Sequence, residues 1–172
     1  VTIAVDDDNS DNAFDGLADQ TVTATTTDDD TAGMTLSKTT ASVSEAGSTD
    51  TFTVVLDTQP LSDVVFTVVS ADTGEATVSP ATLTFATGNW NAAQTVTVTG
   101  VDDTIDDGDQ STKITIAVDD DNSDNAFDGV AHQTVTATTT DDDTAAFTLS
   151  TTTASVTEAG STATFTVVLD TQ

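Results

Sequence analysis

The chain has 172 residues, and 30 acidic against 2 basic side chains leave it a formal charge of -28. With only Lys38 and Lys113 as bases it lacks the cations that nucleic-acid binding requires, and the same sign argument excludes an anionic membrane surface. There is no cysteine for disulfide or thiol chemistry, no apolar run near the ~18 residues of a membrane span, and no signal-peptide pattern at the start.

In chain order, the first segment carries "TIAVDDDNSDNAF" at Thr2–Phe14 and closes on "TTTDDDT" at Thr25–Thr31. Alternating apolar and polar residues then recur at strand length, over 34–44, 50–57, 63–70, 81–87, 94–101, 112–118 and 133–140. These runs are rich in Thr and Val, which suit a pleated, half-buried surface, and no segment has a helical period. Between the last two runs "TIAVDDDNSDNAF" returns at Thr115–Phe127, and after them "TTTDDDT" returns at Thr138–Thr144. The match runs on to "TFTVVLDTQ", present at Thr51–Gln59 and Thr164–Gln172, always 113 residues apart. A period this long indicates tandem whole domains, since solenoids repeat at roughly 20–50 residues. The expected organisation is the tail of one repeat over 1–30, a complete repeat over 31–143 and the head of a third over 144–172. The expected fold class is all-β: a seven-stranded immunoglobulin-like β-sandwich in head-to-tail array. Phe52, Leu56, Phe66, Leu83, Phe85, Val96, Val98, Ile114 and Ile116 are the expected core.

Only three of the acids are glutamates, Glu45, Glu75 and Glu158; the rest are aspartates, which favour turns and short-reach cation coordination. If the seven strands alternate in direction, the odd-numbered ones end at one pole. They deliver there Glu45, Asp72, Asp102, Asp103, Asp106, Asp107, Asp109, Asp141, Asp142 and Asp143. Like charge at that density opposes folding unless cations neutralise it. Hard carboxylate donors on loops suit Ca²⁺, which takes 6–8 oxygens at about 2.3–2.6 Å. Zn²⁺ is disfavoured, with no Cys and His132 alone. The opposite pole carries Asp119, Asp120, Asp121, Asp124 and Asp128 in "DDDNSDNAFDG" (119–129), either as a second cation site or simply as turn formers. In an array that pole is expected to face the Asp28, Asp29 and Asp30 run of the preceding repeat, so that a bridging cation stiffens the joint. The 119–129 loop lacks the spacing of an EF-hand.

"SVSEAGSTDTFTVVLDTQP", "LTFATGNWNAAQTVTVTGVDDTIDDGD" and a closing "DDD", in this order, resemble Calx-beta-like domains, particularly those repeated in tandem in large bacterial surface adhesins. The resemblance covers the complete repeat and both partial ones. It implies Ca²⁺ ligands at Glu45, Asp102, Asp103, Asp107 and Asp141–Asp143. It departs at Asp107 and Gln110, where the family commonly has glutamates, and at "GEATVSP", where an Asp-aromatic pair is missing and Glu75 is a weak substitute. It implies a secreted, Ca²⁺-stiffened structural module at the bacterial cell surface. Adjacent repeats of the same chain are the expected partners, with lateral association into a fibre a further option and neither nucleic acid nor membrane insertion involved.

The other features have plain expectations. Trp90 in "GNWNA" is read as a plug over a corner of the core rather than a sugar platform. His132, which replaces Asp19 of the other copy, is given no chemical role. The Thr-x-Thr runs are read as outward strand positions. Catalysis has no support: there is no Cys, no repeated His and no phosphate loop, and the paired aspartates have no cleft around them. The leading function is a structural extender, each repeat adding about 30 Å. The alternatives are an adhesin module gripping ice, glycan or neighbouring filaments through Thr-rich faces or Trp90, and an acidic polymer ordered only at high calcium.

Overall fold

The structure, a computed structural model, describes residues 1–171 and divides into two compact units, Val1–Asp30 and the chain from Thr31 onward. In the first unit β1 (Thr2–Ile3) pairs antiparallel with β2 (Gln20–Thr21).

The second unit is built on an immunoglobulin-like β-sandwich. One sheet has the order β3 (Met34–Leu36), β5 (Thr49–Leu56), β9 (Gln94–Gly100), β7 (Ala76–Ser79). The other runs β4 (Thr40–Ser44), β11 (Gln133–Thr140), β10 (Gln110–Val118), β6 (Val64–Ser70), β8 (Thr82–Phe85). All pairings are antiparallel except β4 with β11. Each strand turns alternate residues inward, the period of a half-buried sheet, and all nine expected core residues are buried. Phe66 and Phe85 meet edge to face at 5.9 Å between ring centroids. Trp90 packs half-buried against this core.

The sandwich differs from the expected seven strands in two places. The run 34–44 is two strands in different sheets, because the chain crosses between layers at Ser37–Thr39. Ser37 holds the first sheet, donating its N–H to Thr53 (3.0 Å) and accepting the Thr53 N–H at Oγ (2.9 Å), while the Thr39 carbonyl accepts from Thr136 in the second (2.9 Å). The other difference is β7, in a stretch that Gly, Glu and Pro make look like a loop. Ala76 and Val78 face the core there and pair with Gly100 and Val98.

The outward face of the first sheet is a hydroxyl ladder: Thr49, Thr51 and Thr53 oppose Thr99, Thr97 and Thr95, and Thr77 and Ser79 continue it. Segments related by the 113-residue offset share the same registers. Thr2↔Thr21 reproduces Thr115↔Thr134, and β12 (Phe147–Leu149) pairs with β13 (Val167–Leu169) as β3 pairs with β5.

Candidate metal centre

Four segments meet at one pole of the sandwich. The Glu45 N–H donates to the Thr140 carbonyl (3.1 Å), joining the end of β4 to that of β11. The Glu75 carbonyl accepts from the Val101 N–H (2.9 Å) and the Thr139 hydroxyl (3.1 Å), tying in the ends of β9 and β11. Gly100 lets these backbones close: a Cβ there would lie 2.2 Å from the Ser44 carbonyl oxygen.

Glu45, Asp141 and Asp143 each point a carboxylate oxygen into this junction, and the three oxygens lie within 4.8 Å of one another. Oxygens held about 2.4 Å from one ion are at most about 4.8 Å apart, so this spacing is compatible with a single hard cation. The Glu45 side chain is only 2% exposed. Its Oε2, the Asp143 Oδ2 and the Glu75 Oε2 are buried without a hydrogen-bond partner. A buried carboxylate is costly without a positive partner, and neither lysine supplies one. Lys38 pairs with Asp50 at the crossing, and Lys113 stands exposed on β10.

The electrostatics follow. Burial raises the Glu45 carboxyl above the usual range, the Asp142 backbone N–H partly opposes it, and the charges of Asp141, Asp103 and Glu75 push it further. Burial also raises Asp143, with Asp141, Asp142, Asp102 and Asp103 adding to it. Glu75 is raised by burial and then by Asp107, Asp72 and Asp103. The Asp103 charge thus acts on all three. Oxygen-only donors, no cysteine and orphaned buried oxygens fit a hard cation such as Ca²⁺.

The acids expected at this pole divide by use. Glu45, Asp141 and Asp143 form the cluster, with Asp102, Asp103 and Asp142 around it. The charges of Asp107 and Asp72 act on Glu75. Asp106 accepts the Ala145 N–H (2.7 Å) and Asp109 the Asp141 N–H (3.2 Å), while Asp141 also accepts from Gly108 (2.7 Å). Sequence reasoning undervalued Glu75. Its signal was the scarcity of glutamate, since Glu45 and Glu75 are the two glutamates of the complete repeat and Glu158 repeats Glu45.

The opposite pole is built differently. Asp124 is buried, and its two oxygens accept the N–H groups of Leu61 (2.6 Å), Ser62 (3.0 Å) and Ala126 (2.9 Å), which hold its carboxyl below the usual range. Phe127 beside it is part of the core. Asp119 accepts from the Asn122 side chain (3.0 Å), and Asp120, Asp121 and Asp128 are exposed. These five acids form no three-carboxylate cluster among the described residues. Asp28, Asp29 and Asp30, in the Val1–Asp30 unit, are exposed, with the Asp30 N–H on Asp28 (3.1 Å).

No family model matches the sequence, and comparison with curated proteins gives no match. Among solved structures, the chain is similar to the apo-form Calx CBD1 domain at 16% identity, over 66% of this chain and 100% of that one, with a TM-score of 0.49. It is similar to the S-layer protein SbsC at 24% identity, over 78% of this chain and 16% of that one, with a TM-score of 0.47. A third likeness is to SSP-19 of Caenorhabditis elegans, an MSP-domain protein like family member, at 18% identity, over 62% and 99% of the two chains, with a TM-score of 0.44.

Proposed function

We propose that this chain is a non-catalytic structural extender, part of a tandem array outside a bacterial cell, whose repeats are stiffened by Ca²⁺ at the acidic pole. The observation that carries it is the buried Glu45 carboxylate, an oxygen unpartnered, converging with Asp141 and Asp143. A bound ion supplies the positive charge these groups lack. Glu45 reaches it from the end of β4 and Asp141 and Asp143 from the end of β11, so the ion clamps parallel neighbours at the point where the chain leaves one repeat for the next. Without it the acids repel and the exit from β11 loosens. The 113-residue repetition of sandwich sequence supports an array in which such clamps recur. No helix among the described residues is long and apolar enough to cross a membrane.

The test is thermal unfolding in Ca²⁺, in Mg²⁺ and in chelator. Ca²⁺ at about a hundred times its Kd adds about 2.7 kcal/mol, roughly 10 °C for a domain of this size. Equal midpoints in Ca²⁺ and chelator would sink the metal reading.

A further inference from the structure

Asp is followed by Gly at three places in the chain: Asp15–Gly16, Asp107–Gly108 and Asp128–Gly129. With no Cβ on the second residue, the Gly nitrogen approaches the Asp carboxyl carbon with little steric hindrance. Attack there closes a five-membered imide, which reopens to leave the chain running through the side chain. All six residues are exposed, so access to water does not separate the three steps. Hydrogen bonding does.

The Asp107–Gly108 step is fastened. The Gly108 N–H donates to Asp141 Oδ2 (2.7 Å), the Asp107 N–H donates to the Ile105 carbonyl (3.0 Å), and the Asp107 carbonyl accepts from the Gln110 side chain (3.1 Å). The nitrogen that would attack is thus committed to a carboxylate from the end of β11. Asp128 and Gly129 instead form the middle of a turn closed by the Val130 N–H on the Phe127 carbonyl (2.9 Å). Among the described residues neither the Asp128 carboxylate nor the Gly129 N–H has a hydrogen-bond partner, and nothing lies within 4 Å of the Gly129 Cβ position. Asp15–Gly16 sits in the same kind of turn, with the Leu17 N–H on the Phe14 carbonyl (3.0 Å).

We propose that Asp128–Gly129 is a site of spontaneous isomerisation to isoaspartate, and that Asp141 shields Asp107–Gly108 from the same reaction. The Gly129 nitrogen bonds to Asp128 Cγ, and a Cγ–O bond breaks. The N–H proton, the oxygen and one proton from solvent leave as water. Water then adds to the main-chain carbonyl carbon of the imide and breaks its bond to the Gly129 nitrogen, so Gly129 remains joined through Cγ and the mass is unchanged. One water leaves and one returns, with no oxidant or enzyme. The product carries an extra backbone atom between buried Phe127 and Val130, and it lies at the pole opposite Glu45, Asp141 and Asp143. At Asp107–Gly108 a hydrogen bond to a carboxylate must open first, which slows the step by about tenfold or more. Asp15–Gly16 is expected to react as Asp128–Gly129 does.

The chain is suited to the test, because Lys38 and Lys113 are its only basic residues and trypsin therefore yields 1–38, 39–113 and 114–172, with one Asp–Gly step in each. The 172-residue chain is aged at 37 °C in millimolar Ca²⁺, then denatured and digested. Isoaspartate in each peptide is read by methyl labelling with protein isoaspartate methyltransferase and placed by fragmentation. The expected result is isoaspartate in 1–38 and 114–172 and about a tenth as much or less in 39–113, with the three equalising when the chain is aged in denaturant. Gly129→Ala, which adds a methyl group in open space, removes the signal from 114–172. Asp141→Ala raises the signal in 39–113, whereas Asp141→Asn, which keeps an acceptor oxygen, leaves it low; both variants lose the same charge, so an effect of lost cation binding alone would move them together. No isoaspartate in 114–172, or a signal there that survives Gly129→Ala, overturns the site. Equal signals in 39–113 and 114–172 of the folded chain, a 39–113 peptide that stays slow in denaturant, or a rise in both Asp141 variants overturns the shielding.

Discussion

Gly100→Ala tests how the acidic pole is assembled. Gly100 ends β9 and is buried beneath the Ser44–Ser48 turn. An added Cβ would meet the Ser44 carbonyl oxygen at 2.2 Å, the Ser44 carbonyl carbon at 2.9 Å and Val43 Cγ2 at 3.2 Å. The first two are backbone atoms, which no rotamer change can relieve, so the turn must retreat by about 1 Å to regain ordinary contact. The retreat strains the Gly100 N–H bond to the Ser48 carbonyl (3.1 Å) and draws the adjacent Glu45 away from Asp141 and Asp143. Overpacking costs about 1–3 kcal/mol and a weakened buried hydrogen bond about 1 kcal/mol. The stiffer unfolded chain returns about 0.4–1 kcal/mol. The net loss is about 1–3.5 kcal/mol, or roughly 4–14 °C in Tm at about 4 °C per kcal/mol. Circular dichroism melts in chelator read that loss, and melts in Ca²⁺ read a second one, a smaller Ca²⁺ increment than wild type. Gly88→Ala is the control, because nothing lies within 4 Å of its Cβ position. If Gly100→Ala melts within a degree or two of wild type and keeps the full Ca²⁺ increment, close backbone approach is not what sets Glu45 in place.

Three further outcomes follow from the site. Glu45→Gln removes a buried, unpartnered charge and a ligand together, so the melting point should rise in chelator and the Ca²⁺ increment should shrink; a fall in chelator would contradict the electrostatic account. In chelator, Glu45, Glu75 and Asp143 hold protons to higher pH when folded than their ordinary values of 4.5, 4.5 and 3.8, so the folded state binds more protons and stability rises as pH falls from neutrality towards those values. Asp50 and Asp124, held below 3.8, contribute stability above that pH and lose it as pH falls through their lowered values, so a pH series of melts should peak at mildly acidic pH in chelator. In Ca²⁺ the peak should move towards neutrality, because protons compete for the same oxygens. Asp124→Ala strips the acceptor from three backbone N–H groups and should cost about 2 kcal/mol, with the Ca²⁺ increment intact; a lost increment would place a cation at that pole.

Strand positions and the core were legible because a period of two in Thr- and Val-rich runs admits few folds, and all nine named core residues are inside. The crossing at Ser37–Thr39 was not, since alternation continues through it and only the partners change sheet. Phe127 was hidden by its acidic loop, and its burial depends on Asp124 tying that loop to the 61–62 backbone. Chain direction alone gathered Glu45, Asp103, Asp141 and Asp143 at one pole. It could not show that Asp106 and Asp109 are spent on backbone N–H groups, nor that Glu75 turns inward. Those facts depend on individual oxygens and on burial, which no spacing encodes.

The two poles are fastened by different means, and this gives the module a weak end and a strong end under load. At one, Asp124 and Phe127 lock the 119–129 loop with hydrogen bonds and core packing. At the other, opposed carboxylates meet where β4 and β11 end. On the proposed reading of a calcium-binding array, tension in calcium-poor surroundings would peel the sandwich from its acidic end, and restoring calcium would re-zip that same end. Such units would then work as a series of resettable fuses, each failing first at a defined place and keeping the rest of its fold as the template for closure.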